Sequence, residues 1–150
     1  MSAVPIVVVA LLSLMSSFSL AADGLIAIKS PHSVKDTIDR LDAAARARGL
    51  NVFLRVDHAV GAKKIGKDLR PTELLVFGNP KGGTPLMECA QSAGIDLPLK
   101  ALAWQDASGQ AWLSYNDPQY LADRHGAKDC GPVVQNLRKA LAGLAQEAVR

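Results

Sequence analysis

The sequence predicts an α+β domain, a curved mixed or antiparallel sheet with helices laid on it, in the order β-α-β-β-α-β-β-α-α. Three observations lead there. Short apolar runs of strand length alternate with stretches whose apolar residues recur at helical spacing. Residues 100–115 read as a hairpin, two such runs around the Asp106-Ala107-Ser108-Gly109 turn, and this requires an antiparallel part of the sheet. The last stretch carries one apolar stripe, Val134, Leu137, Leu141 and Leu144, which a helix must bury against something. Strands and helices mixed in this way define the class, and 150 residues fit one domain.

The first segment stands apart from that domain. Residues 1–20 carry no charged side chain, and Ile6 to Leu14 is nearly all apolar. Ser19 and Ala21 offer small residues at the −3 and −1 positions of a cleavage site. Residues 1–21 therefore read as a secretory signal peptide, leaving 22–150 as one domain in the periplasm or outside the cell. After cleavage no stable membrane span is expected, since the run is short and broken by Pro5 and several serines.

Gly24 to Lys29 is the first strand, broken by Ser30-Pro31-His32-Ser33. Ser33 with Asp36 three residues on is a capping pattern. Val34, Ile38, Leu41 and Ala45 then mark a helix to Arg48, stopped by Gly49. Asn51 to Val56 alternates as a half-buried second strand, ended by Asp57-His58. A polar connection with Lys63, Lys64, Lys67 and Arg70 follows, with a short helix at about Ala62 to Ile65. Thr72 to Phe77 is the third strand. Thr84, with Pro85 behind it, is read as the N-cap of a helix to Ala93, and Gly78 to Gly83 as a loop before it. Lys100 to Gln105 and Gln110 to Tyr115 form the hairpin. Asn116-Asp117-Pro118 opens a short helix to about His125, and Gly131-Pro132 caps the last one. There is no sequence repeat of 20–50 residues, although β-α-β followed by β-α-β-β has the outline of a weak structural duplication.

The formal charge of +3 is modest. There is no basic stripe with interleaved aromatics, so nucleic acid is not an expected partner. Cys89 and Cys130 are an even pair in an exported chain. They either bridge a loop of about 42 residues, worth about 3–4 kcal/mol in the chain-entropy model, or stay as separate thiols, with Cys89 buried on its helix.

The chemistry-bearing candidates lie at strand ends. Gly78-Asn79-Pro80-Lys81-Gly82-Gly83-Thr84 joins a strand to a helix N-terminus, where free N–H groups and the dipole favour an anion and Lys81 adds charge. It is not a Walker loop, because no lysine precedes Thr84. The same residues also suffice for a plain turn and cap. His58 is either an acid, base, metal or haem ligand, or a histidine that hydrogen-bonds its own loop. His32 and His125 have no metal-like spacing with it. Tyr115-Asn116 precede a helix cap, Trp104 and Trp112 face each other across the hairpin, and Lys100 must point out of the core or into a polar site.

Taken together, Glu73 to Met87 and Ala93 to Trp104 resemble the domain of unknown function 302 family. Asp57-His58-Ala59, Trp112 to Pro118, Tyr120-Leu121 and Arg124-His125-Gly126 fit its pattern as well. The resemblance spans about Gly24 to Leu144. It implies a small α+β fold and a homodimer, with no activity established for the family as a whole and with both exported and cytoplasmic members. The matching positions are Asp57, His58, Phe77, Gly78, Asn79, Pro80, Lys100, Tyr115, Asn116 and Pro118, which raises the weight on Asp57, His58 and the Asn79 loop as one site. The leading expectation is a dimeric binding or accessory protein that holds a small ligand, whether haem, metal or small anion, with His58 as the metal or haem ligand. The rivals are an enzyme with His58 as general acid or base on a small anionic substrate, and a structural or partner-binding module without a ligand.

Overall fold

The computed structural model describes residues 23–150. The cleavage signal expected in residues 1–21 lies outside the described residues. Among the described residues five strands and five helices follow: β1 (Leu25–Ser30), α1 (Val34–Ala47), β2 (Asn51–Asp57), α2 (His58–Lys64), β3 (Thr72–Gly78), α3 (Pro80–Cys89), β4 (Leu99–Gln105), β5 (Ala111–Asn116), α4 (Pro118–His125) and α5 (Gly131–Val149), with a 3-10 turn at Gln91–Ile95 between α3 and β4.

The strands form one sheet in the order β1-β5-β4-β3-β2. Every neighbouring pair is antiparallel. The predicted class holds, and the choice between a mixed and an antiparallel sheet resolves to antiparallel throughout. β1 and β2 sit at opposite edges, with α1 carrying the chain across between them. The two halves of the suggested duplication therefore do not form separate paired units.

The alternation of side chains divides the sheet into two faces. Leu75, Phe77, Ala101, Ala103, Leu113 and Tyr115 are buried on one of them. The stripe of α1 (Val34, Ile38, Leu41, Ala44, Ala45) and that of α5 (Leu141, Leu144, Ala145, Ala148) complete the same core. The start of α1 follows its sequence signature: the Ser33 hydroxyl accepts from the Asp36 backbone N–H at 3.1 Å and donates to the Asp36 carboxylate at 2.7 Å. Gly49 leaves the helix at φ +72, a conformation that costs glycine little. One buried polar pair sits in this core, Ser30 and Thr37, whose hydroxyls meet at 2.7 Å, and Thr37 also donates to the Ser33 carbonyl. Arg55 ties α1 to the sheet, reaching Asp39 and Glu73 at 2.7 Å each. A second, smaller cluster gathers Leu86, Ala93, Ala122, Cys130, Val134 and Leu137 where α3, α4 and α5 meet.

Two predicted helix starts are corrected. The α3 helix begins at Pro80, not at Thr84-Pro85. Asn79 is its N-cap, with the side-chain oxygen accepting from the Gly82 N–H at 2.9 Å. Pro85 lies inside the helix. The short helix expected near Ala62 to Ile65 starts earlier, at His58, because the Asp57 carboxylate accepts from the Val60 N–H at 2.8 Å and caps it.

Candidate functional site

The register decides which predicted residues can share a site. Gly78 pairs with Asn51 at one end of β2, and Glu73 pairs with Asp57 at the other. Six residues of extended chain separate Asn51 from Asp57, roughly 20 Å at strand rise. Asp57-His58 and the Asn79 segment are therefore at opposite ends of the sheet. The single site expected from them is not formed. Asp57 is spent as the cap of α2, and His58 is an exposed first helical residue.

Lys100, Tyr115 and Asn116 do lie at the same end as Gly78: Lys100 pairs with Val76, Ala101 with Tyr115, and Leu25 with Asn116. Their roles differ. Lys100 points away from the core, and its ammonium donates to the carbonyls of Asp96 at 2.7 Å and Pro98 at 2.9 Å, fastening the chain that enters β4. Tyr115 is buried in the core, and burial, then the negative charge of Asp117, pushes its phenol up, against a smaller opposing effect of Arg138. Asn116 is exposed at the strand end. Asp117 caps α4 by accepting from the Gln119 N–H at 2.9 Å and pairs with Arg138 on α5 at 2.9 Å.

What the end of the sheet does form is a cavity of about 660 Å³ between α3, α5 and the ends of β3 and β4. The whole run from Phe77 to Pro85 lines it, Gly78, Asn79 and Lys81 among them. Its other walls are apolar apart from Asn136, with Phe53, Met87, Leu97, Leu99, Leu137 and Leu141 among them. The anion-binding character expected of the loop is reduced. Pro80 has no N–H, and the Gly82 and Gly83 N–H groups are turned to Asn79. Lys81 is exposed and Asn79 half-buried, so the polar groups stand at the rim of an otherwise apolar space.

The apolar wall was missed by reasoning from motifs, which looks for charge and glycine. A usable signal was present in α5, where Val133 and Ala140 widen the apolar face beyond the single stripe. Gly82 and Gly83 face the neighbouring walls, where a Cβ would stand 3.6 Å from Leu137 and 3.4 Å from Leu97, ordinary contact distances.

Cys89 near the end of α3 and Cys130 at the start of α5 are set at disulfide distance, with Cα atoms 6.0 Å apart. The tie joins the two helices that flank the cavity. A hydrogen-bond chain lies close by: Ser92 Oγ meets His125 Nδ1 at 3.0 Å, and His125 Nε2 meets Asp96 Oδ2 at 2.6 Å. Its members have the types of a hydrolytic relay, but none of the three lines the cavity. The chain fastens the 3-10 turn to α4, and this gives the Arg124-His125-Gly126 motif a structural role. Among the described residues no group of three or more His, Cys, Asp or Glu is placed to hold a metal ion.

Comparison with known proteins adds three findings. The chain is 53% identical over 107 residues to a protein of Brucella suis named fluoride-specific ion channel FluC 1, and it matches equally a FluC 1 of Brucella abortus. Each match covers 71% of this chain but 42% and 40% of those proteins, so the chain spans about two fifths of the length of these curated relatives. The channel name belongs to those longer proteins, and among the described residues no helix is long and apolar enough to cross a membrane. The crystal structure of an uncharacterised DUF302 protein from Bacillus stearothermophilus shares the fold, with a TM-score of 0.77 at 19% identity over 86% of this chain and all of that one. The family described as "Domain of unknown function DUF302" matches residues 26–144, nearly the whole described chain, and this protein belongs to that family.

Proposed function

We propose that the protein binds a small, predominantly apolar molecule in the cavity between α3 and α5, and that it does so outside the cytoplasm as a homodimer. The cavity carries this reading. Its volume of about 660 Å³ lies within the range of roughly 300–1,000 Å³ typical of small-molecule sites. Its walls are apolar with a few polar groups at one rim, the pattern that binds by burial and orients by a few hydrogen bonds. A ligand held there is not coordinated by His58, which lies at the far end of the sheet. The metal and haem versions through His58, and the enzyme with His58 as base beside the Asn79 segment, lose their geometric support.

Titration with the apolar fluorophore N-phenylnaphthylamine tests the reading. Emission should rise on binding the parent protein. Ala140→Trp on the exposed cavity-lining turn of α5 should abolish the rise without lowering the melting temperature. If the parent gives no rise, or the tryptophan variant binds equally well, the cavity is not a binding site.

The homodimer rests on a separate observation. Both long helices pack on one face of the sheet, while Leu54, Leu74, Val76, Leu102, Trp104 and Trp112 on the other face are only partly covered or exposed. Trp104 and Trp112 stack there at 6.2 Å, with the Lys29 ammonium 5.6 Å from the Trp112 ring. A second copy of the chain covers this face in the proposed assembly. Leu102→Lys should convert the dimer to monomer in analytical ultracentrifugation, and a parent that sediments as a monomer ends this part of the proposal. Export is supported by the Cys89–Cys130 pair, which is stable only in an oxidising compartment.

A further inference from the structure

The segment from His58 to Arg70 is not explained by the cavity or by the sheet. None of the seven residues of α2 is buried. A helix this short has little stability of its own, and this one is capped by Asp57 and rests only lightly on β3. Yet the segment concentrates apolar residues on the surface. Val60 is 51% exposed, Ile65 75% and Leu69 48%. The same thirteen residues hold four cations, Lys63, Lys64, Lys67 and Arg70, against one anion, Asp68. Among the described residues no ion pair uses Lys63, Lys64 or Lys67. Arg70 is held by one hydrogen bond to the Gln105 carbonyl and keeps its charge outward.

Protruding apolar tips interleaved with unpaired cations match a surface that is anionic at its boundary and apolar just beneath. We infer that the His58–Arg70 segment docks the protein on an anionic phospholipid bilayer. Ile65, Val60 and Leu69 enter the headgroup–acyl boundary, while Lys63, Lys64, Lys67 and Arg70 meet the phosphates. An acidic protein would satisfy the cations as well, but it would have to supply a groove shaped to three projecting side chains. A bilayer accepts them without complementary shape, and the affinity follows apolar area plus charge. This inference does not rest on the cavity reading, because the two surfaces lie at opposite ends of β2.

Sedimentation of the full chain with vesicles tests it, using pure phosphatidylcholine against equal parts phosphatidylcholine and phosphatidylglycerol. The parent should bind the anionic vesicles more tightly. Affinity should fall on the order of fivefold for each of Lys63, Lys64 and Lys67 changed to Gln. Ile65→Glu should release the protein without affecting its circular dichroism, since the side chain is largely in solvent. Ile65→Trp should show a blue-shifted emission, after subtraction of the parent spectrum, with anionic vesicles only. Equal binding to both vesicles, or equal binding by parent and Ile65→Glu, overturns the inference. So does loss of binding in the lysine variants with no blue shift in Ile65→Trp, which assigns the patch to a polyanionic partner.

Discussion

Replacing Asn79 and Thr84 in turn separates two starts for α3, and the two substitutions should change stability in opposite directions. Asn79 accepts from the Gly82 N–H at 2.9 Å as N-cap. Truncation to alanine leaves that donor without its partner and costs about 1 kcal/mol, within a range of roughly 0.5–2. For a domain of this size that is about 3–5 °C in melting temperature, or on the order of 0.5 M in the urea midpoint. Asn79→Asp keeps an acceptor and adds a favourable charge at the helix start, so it should hold parental stability. Thr84 is an exposed residue within the helix. Alanine is the better helix former there, so Thr84→Ala should be neutral or stabilising by up to ~0.5 kcal/mol. Had the helix begun at Thr84, the same change would have cost as much as a lost cap. Urea unfolding of the four proteins, followed by circular dichroism with unchanged slopes, reads the difference. A Thr84→Ala midpoint that drops as far as that of Asn79→Ala would refute the assigned start.

Three further outcomes are expected. Cys89→Ser with Cys130→Ser should lower the unfolding free energy by about 3–4 kcal/mol, the value of closing a loop with a sequence separation of 41, and a loss under ~1 kcal/mol in urea unfolding of the oxidised parent against this variant would count against a bridge. Gly24 has φ +76, and a Cβ there would fall within the ring of Tyr120. Gly24→Ala should therefore cost more than about 2 kcal/mol, with Tyr120→Ala relieving part of the cost in a double-mutant cycle and additive effects arguing against the clash. Asp106 is held down to about 2, first by the Ser108 hydroxyl, then by the Trp112 indole N–H, with the backbone N–H groups of Gln110 and Ser108 adding to them. A depressed carboxyl contributes stability that is complete above its unfolded value near 4 and is lost as the pH falls from there through about 2. Melting temperatures of the parent should fall more steeply across that window than those of Asp106→Asn, and parallel curves would remove the contribution of Asp106.

The legible parts of the fold are those where local signals agree. In α1 the Ser33 cap, the apolar stripe and Gly49 all point one way, and the helix runs Val34–Ala47 against an expected Val34 to Arg48. For α3 the sequence reading takes Thr84-Pro85 as the start and Gly78 to Gly83 as a loop. The structure starts the helix at Pro80 behind the Asn79 cap, so the two glycines lie inside it despite their low helix propensity. Gly78, Asn79 and Lys81 line the cavity, but Asp57-His58 does not. Proximity in motif order says nothing about which end of a strand a residue occupies. The pairing of consecutive strands does: if β2 and β3 pair antiparallel, the residues after β2 adjoin the start of β3, and the segment after β3 is a full strand length away. The apolar walls came from α5 and the chain before β4, whose approach to α3 no local pattern specifies.

The matched family residues divide by what they touch. Asp57 caps α2, Asn79 caps α3, and Pro118 is the first residue of α4 behind the Asp117 cap. Lys100 binds two carbonyls ahead of β4, and Tyr115 fills the core beneath them. Each of these fixes where a strand gives way to the next element. Only Phe77, Gly78, Asn79 and Pro80 also face the cavity. The shared motif therefore specifies the frame around the cavity more than its contents. Met87, Leu97, Val133, Leu137, Ala140 and Leu141 add apolar wall and are not among the matched positions, and the four of α5 lie outside the resembling runs as well. Ligand preference can then change between members of one fold through these side chains, while substitution of Lys100 or Tyr115 acts on binding only through stability. A variant of either that melts like the parent yet loses the fluorophore would contradict this division.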